Sequence, residues 1–416
     1  MEASVLAALA AVIVAFILLV LPHLRKQSLS QDNRRRQLPP GSFGLPVVGQ
    51  TVGLLRALRA NTGEAWLRRW ASEYGPISKL SLFGLPTAFL VGPATNKFLF
   101  ASTALTAKSS TSFNSMVGRR NIRELVGDDH RRVRAMMVQF LKLDIVRSYV
   151  ASMDDEVRHH LRAHWDGRTS IAVMPSMKSL TFDIMCTVIF GLGRADHAAG
   201  LADEEIIDNV MFMMVAAHDT TASLLTFILR HLDGNRDAYG RVVAEQQKVA
   251  RSKAPGEALS WDDLGKMKYT WSAAMETLRL VPPVFSMLKR AVEDVEFDGH
   301  LIPKGWQVLG AMNLTQQDPA IFPEPSRFEP ARFESPIPPY SFVAFGGGAR
   351  LCPGNEFTRV ETLVAMHYIV TGFKWKLADG CDGSFSRYPM PSPAQGLLIN
   401  IEPIDTTTTV AAGISK

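Results

Sequence analysis

Phe345-Gly346-Gly347-Gly348-Ala349-Arg350-Leu351-Cys352-Pro353-Gly354 is the stretch that decides the reading of this chain. Glycines let a backbone fold tightly and approach a flat ligand without side-chain clashes. Cys352 stands just before an expected helix over about Asn355–Thr371, and Pro353 suits a first helical turn. The N–H groups and positive dipole end of such a helix favour a thiolate. The plain alternative is a buried cysteine in a glycine-rich turn. Ten residues placing Phe, Gly, Arg, Cys and Gly at these offsets argue against it.

Outward from this loop the periodicity is mostly helical. It predicts helices over Glu64–Tyr74, Asp129–Leu141, Met153–His164, Ser179–Phe190, Glu204–Arg230 and Trp261–Arg279, the last opened by a Ser260/Asp263 capping box. Ile77–Leu82 and Thr87–Val91 read as a hairpin around Phe83-Gly84, and Val295–Leu309 as short strands with turns at Asp298-Gly299 and Lys304-Gly305. Beyond Pro319 the chain is loop-rich until the helix after Cys352, and no internal repeat is visible. The fold class is mainly α with a small β-sheet component.

The chain has 416 residues, a net charge of +5 and three cysteines, Cys186, Cys352 and Cys381. So few cysteines exclude a disulfide scaffold and fit a reducing compartment; Cys186 and Cys381 carry no assigned role. The positive charge is local. Between His23 and Arg36, five basic residues face one acidic residue, which leaves the remainder near neutral and argues against a nucleic-acid partner.

Ala3–Leu21 carries no charge and matches the length of a bilayer-spanning helix. The basic cluster follows it, the reverse of a cleaved signal, so residues 3–22 read as a retained transmembrane anchor with the catalytic portion in the cytoplasm. Residues 23–45 read as a basic, Pro/Gly-rich linker, 46–405 as the catalytic domain and 406–416 as a flexible tail. Leu38-Pro39-Pro40-Gly41 to Pro46 stiffens the linker into a collar.

The Cys352 loop resembles the haem loop of the cytochrome P-450 family, Phe-x-x-Gly-x-Arg-x-Cys-x-Gly, matched without a gap by Phe345, Gly348, Arg350, Cys352 and Gly354. The resemblance implies the family's fold with an N-terminal transmembrane helix, haem b as cofactor, Cys352 as the iron's thiolate ligand and Arg350 as a propionate partner. Phe345 would shield the thiolate. Such a ligand donates electron density and promotes O–O cleavage.

Three further stretches extend the resemblance. Glu276-Thr277-Leu278-Arg279 matches a buried Glu-x-x-Arg pair, completed by Arg332 of Pro330-Ala331-Arg332-Phe333, where the family more often has Pro-Glu-Arg-Phe. Ala216-Ala217-His218-Asp219-Thr220-Thr221 matches the oxygen-pocket helix, which the family bulges here. That match makes Asp219 and Thr220 the candidates for proton delivery, with Ala217 where glycine is frequent. As bare sequence the same stretch admits a second membrane span, costly with Asp219 at its middle, or a capped break between two core helices. In His130-Arg131-Arg132-Val133-Arg134, Arg134 is the propionate candidate and His130 stands in for the family's tryptophan. Arg290, after Pro282-Pro283, falls where another propionate arginine is frequent.

The segment Pro40–Pro46 and the helix around His218-Asp219 are similar to plant enzymes that oxidise triterpenoids, sterols and related terpenoids. One departure stands out. Only Gly191–Ala202 separates the helix ending at Phe190 from the oxygen-pocket helix, where the family carries two roof helices, so an internal deletion is expected near 193–203. With no flavin or nicotinamide fingerprint in the chain, electrons come from a separate NADPH-dependent reductase. The implied protein is a single-pass endoplasmic reticulum monooxygenase hydroxylating a small apolar substrate beside membrane lipid. The alternative is a truncated, inactive, membrane-anchored isoform.

Overall fold

The architecture is taken from a computed structural model that describes residues 37–107, 111–190, 203–387 and 390–404. The expected anchor (3–22), most of the basic linker, the site of the expected deletion and the tail lie outside the described residues.

In chain order the elements are α1 (Thr51–Arg59), α2 (Gly63–Tyr74), β1 (Ile77–Leu82), β2 (Leu85–Leu90), α3 (Pro93–Ala101), β3 (Leu105–Ala107), α4 (Thr111–Val117), α5 (Gly127–Phe140), α6 (Leu143–Ser148), α7 (Val150–His164), β4 (Ser170–Ala172) and α8 (Val173–Met185), which runs on as a π-turn over Cys186–Phe190. There follow α9 (Asp203–Asp233), α10 (Arg236–Arg251), α11 (Trp261–Leu264), α12 (Lys268–Leu280), β5 (Met287–Ala291), β6 (Val295–Phe297), β7 (His300–Ile302), β8 (Gln307–Gly310), α13 (Met312–Gln316), α14 (Asn355–Gly372), β9 (Phe373–Leu377), β10 (Phe385–Ser386), β11 (Ser392–Pro393) and β12 (Leu398–Pro403).

The chain divides into two compact units, residues 1–108 with 286–315 and residues 109–285 with 316–416. In the first, a five-stranded sheet runs in the order β1-β2-β8-β5-β3, with β2 and β8 parallel and the other neighbours antiparallel. Both expected hairpins form by the same device. Phe83 and Gly84, and again Asp298 and Gly299, hold positive φ, the two-residue turn whose twist matches paired strands. Leu80, Leu82, Phe89 and Leu309 bury against Leu54 and Leu67 of the first two helices, while Ala88, Leu90 and Val308 bury against Leu99 of α3.

The second unit is a helical core. Leu224, Leu225, Phe227 and Ile228 of α9 pack with Met177 and Leu180 of α8, Ala273 and Ala274 of α12, and Leu363 and Val364 of α14. By length and composition α9 could cross a membrane, but half of its most apolar window is buried in this core, as expected of a central helix. A three-stranded sheet, β4-β12-β9, closes one end.

Two expectations are corrected. Trp261–Arg279 is two helices: the Ser260/Asp263 box opens only α11, and the chain turns at Gly265–Met267 before α12. Pro353 precedes the N-cap, Gly354, so α14 starts at Asn355 and Cys352 is held in a turn. Helix α10 was not foreseen. Its one strong start signal is Asn235, whose side chain accepts from the Ala238 N–H.

The start of α9 is fastened by polar contacts. The Arg120 N–H donates to Asp208 Oδ2 at 2.8 Å, the Ile122 N–H to Asn209 Oδ1 at 2.7 Å, and the Arg120 and Arg132 guanidiniums converge on buried Glu205. Gly118 makes the approach possible: at φ +80° a Cβ there would stand 1.7 Å from Asp208 Oδ1. Gly118→Ala is therefore expected to cost about 1–3 kcal/mol. Gly240→Ala, exposed inside α10 with open space around it, is expected to add about 0.5–1 kcal/mol. Thermal unfolding of the two variants should move in opposite directions.

Candidate active site

The loop that presents Cys352 is built on a buried ion pair. Arg279 Nε and Nη2 donate to Glu276 Oε2 and Oε1 at 2.7 and 2.8 Å, both side chains fully buried. Glu276 also accepts the Glu329 N–H (2.9 Å) and faces Arg332 Nε at 3.4 Å, while Arg279 donates to the Gln316 and Arg327 carbonyls. The expected Glu276/Arg279/Arg332 triad is thus present. Gln316 carries it onward by accepting the Val343 N–H at its side chain. The Gly346 N–H then bonds the Val343 carbonyl, and the Cys352 N–H the Phe345 carbonyl at 2.8 Å.

Arg350 and Arg134 flank the cysteine. Arg350 donates to the Ile122 and Leu125 carbonyls at 2.8 and 2.7 Å, and Arg134 to the Leu351 carbonyl at 2.6 Å. His130 is buried one turn before Arg134, and its Nε2 has no hydrogen-bond partner among the described residues. Burial, then the positive charges of Arg350, Arg134 and Arg131, push the His130 imidazole down to about 4. Burial and Arg134 likewise lower the Arg350 guanidinium. A crowd of cations with an orphaned imidazole nitrogen is the electrostatic complement of carboxylates such as the haem propionates.

Burial pushes the Cys352 thiol up, against the opposing pull of the Gly354 N–H and Arg134. Burial therefore outweighs the expected helix-end activation, and a metal cation at the sulfur would act in the opposite direction, toward the thiolate. Gly354 leaves its Cβ position 4.0 Å from Sγ, so the backbone passes close to the sulfur. The Phe345 ring stacks on Trp271, with centroids 6.4 Å apart. The donor set and the cationic surround fit haem b.

On α9, Asp219 Oδ1 pairs with Lys178 Nζ of α8 at 2.7 Å, and His218 Nε2 is 3.7 Å away. The Thr220 hydroxyl donates back to the Ala216 carbonyl at 2.7 Å, and α9 runs as a continuous α-helix through this point, without the expected bulge. Thr181 Oγ1 reaches the His218 carbonyl at 3.1 Å, a second tie between the two helices. Arg290 belongs to the first unit, on β5 opposite Thr106 and Gln307.

Sequence reasoning missed two groups. Lys178 sits on a helix whose apolar face drew attention away from its polar one. Glu361, mid-way along apolar α14, gave the same signal as Asp219, an acid inside a hydrophobic run.

A family model for cytochrome P-450 matches residues 192–405. Taxane 10-beta-hydroxylase of Taxus cuspidata is 30% identical over 480 residues, covering 96% of this chain and 95% of that protein. Beta-amyrin 28-monooxygenase of Barbarea vulgaris is 31% identical over 465 residues, covering 94% and 98%. The chain belongs to the cytochrome P-450 family. A retinoic acid-bound cyanobacterial P-450, CYP120A1, superposes with a TM-score of 0.78 at 26% identity, covering 89% of this chain and all of that one. The protein is thus a cytochrome P-450 monooxygenase with haem b as its cofactor.

Glu361 offers a test of the buried face of this P-450. Burial raises its carboxyl from 4.5 to about 8, against an opposing influence from Thr221. The native state keeps a proton that the unfolded chain loses above about 4.5, so this group's contribution is full below that pH and gone by about 8. Glu361→Gln should therefore stabilise the protein increasingly from pH 5 to pH 8, by a few kcal/mol at the upper end. Urea midpoints of the two proteins across that range check it.

Proposed function

We propose that this P-450 hydroxylates a terpenoid, with Cys352 as the haem ligand and Arg134, Arg350 and His130 receiving the propionates. The convergence of these four side chains carries the reading. Arg290 is proposed as a further propionate partner. Bound haem supplies activation of dioxygen, in the balance RH + O2 + 2e− + 2H+ → ROH + H2O. The chain carries no nucleotide-binding fingerprint for the electrons, so a separate NADPH-dependent reductase is their proposed source. The relatives' names, a taxane hydroxylase and a beta-amyrin monooxygenase, support a polycyclic terpenoid as substrate. The uncharged run Ala3–Leu21 and the basic cluster after it support single-pass anchoring in the endoplasmic reticulum with a cytoplasmic catalytic domain.

Proton delivery is assigned to Asp219 and Thr220. Asp219 is half-buried and tied to Lys178, which places its carboxylate at the edge of the core, between solvent and the Thr220 turn. The Thr220 hydroxyl holds its proton on the Ala216 carbonyl, and release of that bond frees it to donate elsewhere.

A second reading is favoured by length. The alignment to the taxane hydroxylase spans 480 positions, at least 64 more than the 416 residues of this chain, and only 12 residues lie between Phe190 and Asp203. This supports an internal deletion of roof helices and an inactive isoform. Reconstitution of the full chain with a plant reductase, NADPH and a panel of triterpenes and taxanes separates the two. Hydroxylated product supports the enzyme, and an intact haem spectrum without product supports the inactive isoform. In the active case, Thr220→Ala should lower product formed per NADPH consumed by about tenfold or more.

A further inference from the structure

Helix α12 reaches the Cys352 loop at two points. One is the run of hydrogen bonds from Arg279 through Gln316 to Val343. The other is a ring contact. Trp271, on the same helix as Arg279, stacks on Phe345 with centroids 6.4 Å apart and ring planes 26° from parallel. Both rings are partly buried against the helical core.

The turn that carries Trp271 is held from α10. The Tyr269 and Thr270 N–H groups donate to Glu245 Oε1 and Oε2 at 2.7 and 2.8 Å, and the Thr270 hydroxyl donates to Glu245 Oε2 at 2.6 Å. A carboxylate there satisfies N–H groups that the first turn of a helix leaves orphaned. Gln246 Nε2 adds a bond to Thr270 Oγ1 at 2.7 Å. The indole therefore projects from fixed backbone. It meets the residue whose carbonyl accepts the Cys352 N–H at 2.8 Å. Phe345 links the two: its ring rests on Trp271, and its backbone holds the cysteine.

We infer that Trp271 is a positioning residue for the Cys352 sulfur: by holding Phe345 it keeps that carbonyl on the Cys352 N–H and limits the access of water to the thiolate. This rests on Cys352 being the haem ligand. Hydrogen bonds to a ligating sulfur, and solvent around it, tune the potential of the iron. The reduced site carries one negative charge more than the oxidised site, so water admitted at the sulfur favours reduction.

The test is a spectroelectrochemical titration of the purified, haem-loaded full chain beside Trp271→Phe and Trp271→Leu, with carbon-monoxide spectra to establish the thiolate band in each. At a fixed applied potential, Trp271→Leu is expected to raise the ratio of Fe(II) to Fe(III) by about threefold or more. Trp271→Phe, which keeps a ring against Phe345, should shift it less. In a Phe345→Leu background, Trp271→Leu should add no further shift, because the ring through which it acts is gone. Trp271→Met takes the place of Trp271→Leu if that variant does not fold. An unchanged ratio in the ringless variant, an equal shift in Trp271→Phe, or additive shifts in the double variant overturns the inference. A wild type without the thiolate band overturns the haem-ligand reading itself, so the two failures are distinguishable.

Discussion

The second unit is organised around two charges buried with full neutralisation. Glu276 and Arg279 lie wholly inside, where an unpaired charge is prohibitive, so each must be saturated by the other and by backbone. The saturation reaches far along the chain. Arg279 draws in Gln316 and Arg327, Glu276 draws in Glu329 and Arg332, and Gln316 fixes Val343 at the entrance to the Cys352 loop. A stretch with little regular structure, from Gln316 to Gly354, is thereby held by a few strong contacts in place of a ladder. That is how a half-buried cysteine is positioned in a turn without the support of a helix start.

A second line of constraint comes from α9. Its first turns bind the 118–125 loop through Glu205, Asp208 and Asn209, and the same loop offers the Ile122 and Leu125 carbonyls to Arg350. The cations proposed to receive the propionates and the helix proposed for proton delivery thus share one scaffold. A change at the start of α9 would be felt at Arg350, although neither touches the other directly.

Much of this was legible in the sequence because it rests on local rules. The Asp298-Gly299 turn follows from the φ > 0 demand of a two-residue hairpin, and the Ser260/Asp263 box from reciprocal capping. The Cys352 motif and the Glu276/Arg279 pair were readable through family resemblance, and the structure brings Glu276, Arg279 and Arg332 together. What escaped depends on tertiary contact. Helix α10 has an exposed Gly240 and a weak apolar face that gains its helix from packing against α12 and α14. The break at Gly265–Met267 carries no proline, and the depressed His130 imidazole arises from burial first, then from Arg350, far downstream in the chain, and from the arginines of its own helix. The Lys178–Asp219 pair joins two helices that no sequence rule brings together.

On the function proposed above, Cys352, surrounded by Arg134, Arg350 and His130, forms the haem-thiolate site of this chain. The most direct measurement is the carbon-monoxide difference spectrum of the reduced, purified full-length protein. The expected result is the red-shifted Soret band of a thiolate-ligated haem, at close to one haem per chain. A chain that binds no haem, or a band of the histidine-ligated type, would contradict it.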